Sequence, residues 1–473
     1  MNFEKQRRTH VIWSFDSSCL NDQLLKSLDV TKVDAIRIVS EKGEIDKVLT
    51  FCQRIKTEVP GAKERLPVLV DLYDHVRGTV IELDGPKDLA FGDSVKVSSV
   101  KGKGDLTIRT EEWPTLFKKN ESVYLGNGMV VAKVKDISGD HAVLDIVQGG
   151  TIYPDADVQV PSTTKPVQFE SISPEGWRAA TDSAIDYLIL PSFDSPEELS
   201  KIVKKISTQQ NAPWLLLKIS TKATLDRLDD LLPLVRGVLI SRVALSMQMD
   251  PAQVPMITKE VIAKCNDYAK ITLVASEMLG SMRHNVTPTR AEVSDIANAV
   301  FDGADAVVLS EGLAYGKYAV RGLALAIKTI EEAEFQSAGQ LMNWVKQHPD
   351  ITNEIEAVTS SAYKAAYRNQ ARALVCLTKN GNTALHLASY GSRTPIIAVT
   401  MSSDVIRRLR LVRGVIGILL DEAPDIEHVT SIINSLLLHR TGIKAGERYV
   451  FVSLTLSSLG TEASNLFTVQ TLS

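Results

Sequence analysis

Cysteine is scarce in this chain, and its four cysteines are separated by long stretches of sequence. They are Cys19, Cys52, Cys265 and Cys376. Zinc sites and disulfide frameworks use short, regular cysteine spacings, and no such spacing occurs here. The pattern argues against both classes and predicts free thiols in a reducing, intracellular compartment.

Long apolar runs and a strong net charge are also missing. No stretch approaches the ~20 consecutive apolar residues that a membrane-spanning helix needs, and residues 1–8 are too polar for the apolar region of a secretory signal. The formal net charge is −4 and the pI is near 6.1. That balance gives nucleic acid or an acidic membrane no electrostatic reason to bind. We therefore expect a cytoplasmic protein that binds neither.

The sequence does contain a repeated alternation of short apolar, β-branched runs with amphipathic helical stretches. This alternation is typical of βα units arranged around a parallel sheet. Eight such runs precede residue 310, and eight is the number that closes a (β/α)8 TIM barrel. The predicted strands cover residues 11–14, 35–39, 67–72, 187–190, 214–219, 237–242, 272–275 and 306–309.

The interval between the third and fourth predicted strands has a different pattern. Short alternating segments broken by Gly and Asp predict a small β-barrel domain inserted into the larger barrel. After the barrel, one helix and four buried strands separated by helices predict a C-terminal α/β domain. The predicted domains are the TIM barrel (residues 1–72 and 162–337), the inserted β domain (73–161) and the C-terminal domain (338–473).

Three stretches of sequence follow this layout in order. They are residues 287–305 (TPTRAEVSDIANAVFDGAD), 377–381 (LTKNG) and 395–400 (PIIAVT). Together with the insertion after the third strand, they resemble the pyruvate kinase family over almost the whole chain. Helix-capping signals such as Pro288 and Gly303 also explain much of the first stretch. Its residues stay open between a structural role and contacts with substrate or subunits.

The resemblance implies four remnants of a catalytic rim at the carboxyl ends of the barrel strands, where βα-barrel active sites lie. Arg37 matches a family residue that contacts phosphate, and Asp71 matches a ligand of a monovalent cation. Lys218 matches the lysine that neutralises the transferring phosphoryl group. Ser276 replaces a threonine involved in proton handling. Phosphoryl transfer needs cationic groups of this kind at the site.

The sequence departs from the family pattern at the divalent-metal site. The two metal carboxylates are replaced by Ser220 and Ala244, and a glycine beside the substrate is replaced by Val243. Hard divalent ions are held mostly by carboxylate oxygens, and most ligands of the monovalent cation are missing as well. We therefore expect no metal site and no bound Mg²⁺ or K⁺.

Two questions stay open at this rim. The charged remnants are explained either by retained anion binding or by pairing with one another, since a buried unpaired charge is costly. The metal carboxylates are either lost or replaced by other carboxylates near the strand ends. The candidates for replacement are Glu41, Glu277 and Glu311.

The family also binds a sugar bisphosphate in its C-terminal domain, and the resemblance implies an effector site there. One half offers hydroxyls, an ammonium and backbone N–H groups at a helix start, where an anion is favoured, although the same residues make a good helix cap. The other half is a closing loop that here lacks the family's usual arginine or tryptophan. The implied effector-binding residues are Thr378, Lys379, Asn380, Thr383, Gly460 and Thr461.

These observations predict a catalytically impaired or inactive pyruvate kinase homologue that serves as a regulatory subunit. Removing one charge-stabilising donor costs about 10²–10³ in rate, and here both metal carboxylates are missing. The resemblance implies a tetramer of this chain, or one mixed with an active pyruvate kinase, and a phosphorylated sugar as effector. The first alternative is an active divergent pyruvate kinase with relocated metal ligands, which makes pyruvate and ATP from phosphoenolpyruvate and ADP. The second is an interaction protein in which neither site works.

Overall fold

The computed structural model describes residues 7–40, 44–72, 80–110, 113, 115–126, 128–153, 156–160, 174–209, 211–276, 278–336, 354–420, 429–456 and 462–472. In these ranges strands alternate with helices before residue 72 and after residue 174, and residues 80–160 contribute strands only. The helices found there are all too short or too polar to cross a membrane.

The strands come in three groups along the chain. The first barrel strands are β1 (His10–Asp16), β2 (Ala35–Val39) and β3 (Val68–Asp71). The insertion has β4 (Val80–Glu82), β5 (Lys87–Leu89), β6 (Ser94–Ser98), β7 (Leu106–Arg109), β8 (Ser122–Leu125), β9 (Val130–Ser138), β10 (His141–Gln148), β11 (Gly150–Ile152) and β12 (Ala156–Gln159). The remaining strands are β13 (Tyr187–Leu190), β14 (Trp214–Ile219), β15 (Gly237–Ser241), β16 (Ile271–Ala275), β17 (Ala306–Val308), β18 (Ala373–Leu377), β19 (Ile396–Thr400), β20 (Val415–Leu419), β21 (Arg448–Leu456) and β22 (Glu462–Thr471).

Helices connect the parallel strands. They are α1 (Asp22–Ser27), α2 (Ile45–Glu58), α3 (Ala62–Arg65), α4 (Pro174–Ala179), α5 (Pro196–Ser207), α6 (Lys222–Asp226), α7 (Leu228–Leu231), α8 (Arg242–Ser246), α9 (Val254–Asp267), α10 (Arg290–Asp302), α11 (Glu311–Ala314), α12 (Ala319–Gln336), α13 (Glu354–Arg368), α14 (Asn382–Ala388), α15 (Ser403–Leu409) and α16 (Val429–Arg440). The capping signals predicted for α10 are confirmed, because Thr289 and Glu292 form a capping box and Gly303 ends the helix at a φ of 93°.

The predicted barrel is confirmed as a closed ring of eight parallel strands. Its order is β1, β17, β16, β15, β14, β13, β3 and β2. Strands of such a barrel are buried on both faces, and every residue of β2, β13 and β14 is buried accordingly. The charged side chains on these strands, Arg37 and Lys218, therefore need partners inside the barrel.

Residues 80–160 form a second, smaller closed barrel in the order β10, β6, β7, β4, β12, β8 and β9, with a two-stranded ladder of β11 and β5 beside it. Its longer strands alternate between buried and exposed residues, as in the first part of β9. The alternating sequence pattern predicts four segments here, at residues 95–97, 122–125, 129–134 and 142–146. Strands of three residues, such as β4, β5 and β11, are too short to show a period of two.

The C-terminal sheet has the order β20, β19, β18, β21 and β22. The first four strands are parallel and were predicted, whereas β22 is antiparallel to β21 and was missed. Leu466 and Val469 of β22 are 51% and 42% exposed, so apolar side chains do not mark its buried face. The predicted domain boundaries at residues 73, 161 and 338 lie outside the described residues and stay predictions.

The amino-terminal end of the barrel packs against the C-terminal sheet in one apolar core. Barrel residues such as Trp214 and Leu273 share this core with Leu385 of α14 and Leu409 of α15. A buried carboxylate strengthens the contact. Asp186 pairs with Lys56 Nζ of α2 at 2.8 Å and, across the domain contact, with Arg407 Nε of α15 at 2.5 Å. The barrel and the C-terminal domain are therefore joined by both apolar and charged contacts.

Candidate functional site

Three of the four predicted rim residues lie together at the carboxyl ends of the barrel strands. Arg37 stands on β2, Asp71 ends β3, and Lys218 stands near the end of β14. Their side chains are only 4%, 0% and 5% exposed. The order of the strands brings them together, since β2 neighbours β3 and only β13 separates β3 from β14.

The three side chains are paired directly with one another. Lys218 Nζ lies 2.7 Å from Asp71 Oδ1. Arg37 Nε donates to Asp71 Oδ2 at 3.0 Å, and Arg37 Nη2 donates to the same oxygen. Asp71 thus holds one cation on each carboxylate oxygen, which is the pairing that the sequence left as one of two possibilities.

A second carboxylate, which follows β17, completes the network two strands away from β2 around the ring. Glu311, the first residue of α11, accepts a hydrogen bond from Arg37 Nη1 at 2.6 Å. The same nitrogen donates to Ser14 Oγ on β1 at 2.9 Å. Glu311 was a candidate metal ligand from sequence, and here it binds a protein cation.

The network contains two cations and two carboxylates, so its formal charges cancel. Burial alone would raise the pKa of Asp71, but Lys218 and Arg37 hold it below its usual value. Burial would lower the pKa of Arg37, but Asp71 and Glu311 raise it. Asp71 and Arg37 therefore keep their charges. Loss of one partner from such a buried pair costs about 3–5 kcal/mol.

The first replaced metal carboxylate, Ser220, is engaged with a neighbouring strand end. Ser192 Oγ donates to the carbonyl oxygen of Lys218 at 2.8 Å and accepts the backbone N–H of Ser220 at 3.0 Å. The two hydroxyl oxygens lie 2.5 Å apart. Because the single hydrogen of Ser192 goes to the carbonyl, Ser220 is the donor of that pair. A neutral hydroxyl thus stands where the family places a charged ligand.

The second replaced carboxylate, Ala244, lies on α8 and carries no ligating atom. Its neighbour Arg242 forms an ion pair with Asp295 at 3.1 Å. Arg242 also donates to the carbonyl oxygen of Ser276 at 2.7 Å. Ser276 directly follows β16 with a φ of 85°. Its backbone oxygen contacts Arg242, and no bond joins it to the Arg37 network among the described contacts.

These replacements do not fit the metal ions of the family. Ser220 supplies a neutral oxygen, Ala244 supplies nothing, and Glu311 is held by Arg37. Over the described ranges, no group of three or more His, Cys, Asp or Glu side chains is arranged to hold a metal ion. Glu41 and Glu277 lie outside the described residues.

The predicted effector loop is held by hydrogen bonds between its side chains and the backbone just before and at the start of α14. Thr378 Oγ1 accepts the backbone N–H of Gly381 at 2.9 Å, and Asn380 Oδ1 accepts that of Asn382 at 3.0 Å. Thr378 and Thr383 are 4% and 1% exposed. Neither bond is a side-chain cap of α14, whose N-cap residue is Gly381, so the capping and phosphate-binding alternatives both stay predictions.

The rest of that predicted site is only partly described. Lys379 is exposed on the loop, and Gly460 and Thr461 lie outside the described residues. The loop is anchored on the barrel, because a Cβ atom at Gly381 would lie 2.8 Å from the ring of Trp214. Close packing of this kind holds the start of α14 against the end of β14 that faces the C-terminal domain.

Sequence reasoning missed two hydroxyls that shape the rim, Ser14 and Ser192. Ser14 interrupts the buried apolar run of β1, and Ser192 lies two residues after the end of β13. A polar residue in a fully buried strand requires a partner, and that signal would have marked Ser14. The role of Ser192 depends on a contact between strand ends that the sequence does not show.

The architecture is a (β/α)8 barrel with an inserted β domain, a C-terminal α/β domain and a charged cluster at the carboxyl rim. The family description "Pyruvate kinase, barrel domain" matches residues 6–323. The description "Pyruvate kinase, alpha/beta domain" matches residues 356–469. The chain therefore belongs to the pyruvate kinase family, as its resemblance indicated.

Similar proteins agree with this assignment. The chain is 26% identical to a pyruvate kinase from Clostridium perfringens over 87% of this chain and 88% of that protein. It is 29% identical to pyruvate kinase 2 of Synechocystis over 96% of this chain and 77% of that protein. A crystal structure of a pyruvate kinase from Cryptosporidium parvum covers the whole chain at a TM-score of 0.80, with 97% of its own chain matched and 22% identity. At that identity the last comparison supports the fold alone.

Proposed function

We propose that this chain is a pyruvate kinase homologue whose phosphoryl transfer is lost or severely weakened, and that it acts as a regulatory subunit. One observation carries the first half of the proposal. Arg37 and Lys218, the cations that would meet a phosphoryl group, are both bound to carboxylates of the chain itself.

A phosphorylated substrate would have to compete with these carboxylates. Arg37 is held by Asp71 and Glu311, and Lys218 is held by Asp71. Opening a buried pair costs several kcal/mol, and a divalent cation would ordinarily repay that cost by bridging the phosphates. Because Ser220 and Ala244 supply no carboxylate for such a cation, nothing at the described rim offsets the cost.

A pyruvate-forming assay on the purified chain tests this half of the proposal. Phosphoenolpyruvate, ADP and K⁺ are supplied with either Mg²⁺ or Mn²⁺, beside an active pyruvate kinase as control. Turnover far below ~1 s⁻¹, the lower end of the ordinary enzyme range, is expected. Turnover above that value would favour the active, divergent enzyme with relocated metal ligands.

The regulatory half rests on the contrast between what the chain keeps and what it has replaced. The closed barrel is kept and Asp186 of the barrel contacts Arg407 of the C-terminal domain, whereas the carboxylates at the metal positions are replaced. A chain of this kind can assemble like its relatives, as a tetramer of itself or with an active pyruvate kinase, without contributing a working site. Its predicted effector is a phosphorylated sugar at the loop that begins with Thr378.

Affinity purification of the tagged chain from cells tests the partnership. An active pyruvate kinase subunit in the eluate, at a fixed ratio to the bait after size-exclusion chromatography, supports a mixed assembly. An eluate that contains a homo-oligomer only contradicts the mixed assembly and leaves the self-assembled form.

A further inference from the structure

A small cleft lies at the junction between the amino-terminal end of the barrel and the C-terminal domain, on the side opposite the rim. Its empty volume is about 420 Å³, including its opening to solvent. The residues just before β16 and β17 form one wall, and α14 with the residues that follow it forms the other. The cleft therefore lies where the two domains meet.

Arg413 is one of the residues that line this cleft, and its guanidinium group is only partly satisfied. The residue is 7% exposed, and its backbone N–H donates to Asp305 Oδ1 at 2.9 Å. Its side-chain Nε and Nη2 are buried and find no hydrogen-bond partner in the described part of the chain. Buried polar groups in folded proteins are nearly always paired, and an unpaired buried cation is costly. The charge of Arg413 interacts through space with Glu334 and Asp305, but these two nitrogens receive no acceptor from the described residues.

Two further donors line the same cleft. Lys270 Nζ donates a hydrogen bond to the carbonyl oxygen of Val235 at 2.7 Å. This acceptor is neutral, so the contact does not neutralise the positive charge of Lys270. Asn266 Nδ2 and Arg413 Nη1 lie 3.1 and 3.3 Å from the point where a Cβ atom of Gly303 would stand. Gly303 has a φ of 93° and keeps this space open.

The charge of the cleft is positive and only partly compensated. Burial lowers the pKa of Arg413 to about 10, and it lowers the pKa of Lys270 to about 8. Asp305 is the one carboxylate among the lining residues. Its two oxygens accept the backbone N–H groups of Thr272 and Arg413, and burial raises its pKa. A bound anion would stabilise both cations without displacing that carboxylate.

We propose that this cleft binds a small oxyanion, either free phosphate or the phosphoryl group of a small metabolite. Arg413 and Lys270 supply positive charge, and Asn266 supplies an amide donor. Gly303, which has no side chain, leaves space for the anion. The anion would touch the barrel and α14 at once, so its binding tightens the contact between the two domains. The site is separate from the rim and from the predicted effector loop, and it does not depend on the proposed function.

Binding of inorganic phosphate to the full chain, measured by equilibrium dialysis at constant ionic strength, tests the proposal. The measurement uses a chain with Lys379→Met, so that the predicted effector loop contributes no charge. We expect one phosphate per chain, and at least a tenfold loss of affinity when Arg413→Met or Lys270→Met is added. Lys264→Met, which removes a surface lysine paired with Asp229, is the matched control and leaves affinity unchanged.

The following results would overturn or support phosphate binding at the cleft. Absence of binding at ~10 mM phosphate, or equal binding in all variants, overturns the proposal. Arg413→Met replaces an unpaired buried charge with an apolar side chain of similar length, so it is expected to fold; if it does not, the Lys270→Met result decides alone. Glycerol 3-phosphate is the second ligand. Equal affinity for it supports recognition of a phosphoryl group, and preference for inorganic phosphate supports the free ion.

Discussion

Replacing Asp71 by Asn tests how much the rim network stabilises the barrel. Asp71→Asn keeps the shape of the side chain but removes the negative charge that Arg37 and Lys218 share. The two cations remain buried, and Glu311, which is 30% exposed, is left to compensate Arg37 alone. Breaking a buried pair by removing one partner costs about 3–5 kcal/mol, so the variant should be clearly less stable than the wild type.

Scanning calorimetry at pH 7 measures the loss. A domain of roughly 250 residues loses about 2 °C of Tm per kcal/mol, so the barrel transition of Asp71→Asn should fall by about 6–10 °C. Asp46→Asn is the control, because Asp46 and its partner Arg178 are 71% and 52% exposed and their pair contributes little. A fall in Tm no larger than that of the control would refute the reasoning, since the network would then give the barrel no net stability.

A double variant separates charge from packing. Adding Lys218→Met to Asp71→Asn removes a buried cation that has lost its carboxylate. The double variant should therefore recover part of the lost Tm, with a coupling of about 0.5–3 kcal/mol between the two positions. If the Tm losses of the two single variants simply add in the double variant, the stability contribution of Lys218 does not depend on the charge of Asp71.

Two further predictions concern acid stability and backbone conformation. Burial would raise the pKa of Asp34, but its hydrogen bond and charge interaction with His10 help to lower it to about 2. Its contribution of about 2 kcal/mol is present above pH ~4 and is lost as the pH falls toward 2, so Tm should fall more steeply with acid in the wild type than in Asp34→Asn; parallel curves would contradict this. Gly381→Ala should lower Tm more than Gly391→Ala, because both have a positive φ but only Gly381 places the new Cβ 2.8 Å from Trp214. Equal losses in thermal denaturation would rule out the contact with the ring.

The barrel could be predicted from sequence because its strands are buried on both faces. The predicted runs at residues 35–39, 187–190 and 214–219 coincide with β2, β13 and β14. In the smaller sheets, each strand gives a weaker hydrophobic pattern in the sequence. In the insertion, strands of three residues escaped the pattern, and β22 exposes apolar residues that sequence reasoning assigns to a core.

The contacts at the rim could not be predicted from the sequence alone. Resemblance located Arg37, Asp71 and Lys218, but it could not decide between anion binding and mutual pairing. Arg37 and Glu311 are 274 positions apart and meet only because the ring of strands closes. Arg413 shows the same limit at the opposite end, because a missing hydrogen-bond partner is a property of the folded chain and not of any motif.

The two ends of the barrel differ in how their buried cations are paired. At the carboxyl rim, each buried cation is matched by a carboxylate, so an incoming anion must displace Asp71 or Glu311 before it gains a contact. At the amino-terminal cleft, the buried guanidinium of Arg413 has unused donors and no carboxylate must leave. Anion binding at the proposed cleft site therefore requires no such displacement, although barrel enzymes ordinarily bind phosphorylated substrates at the rim. This contrast in buried charge is the reason for proposing an anion site between the domains and weakened phosphoryl transfer at the strand ends.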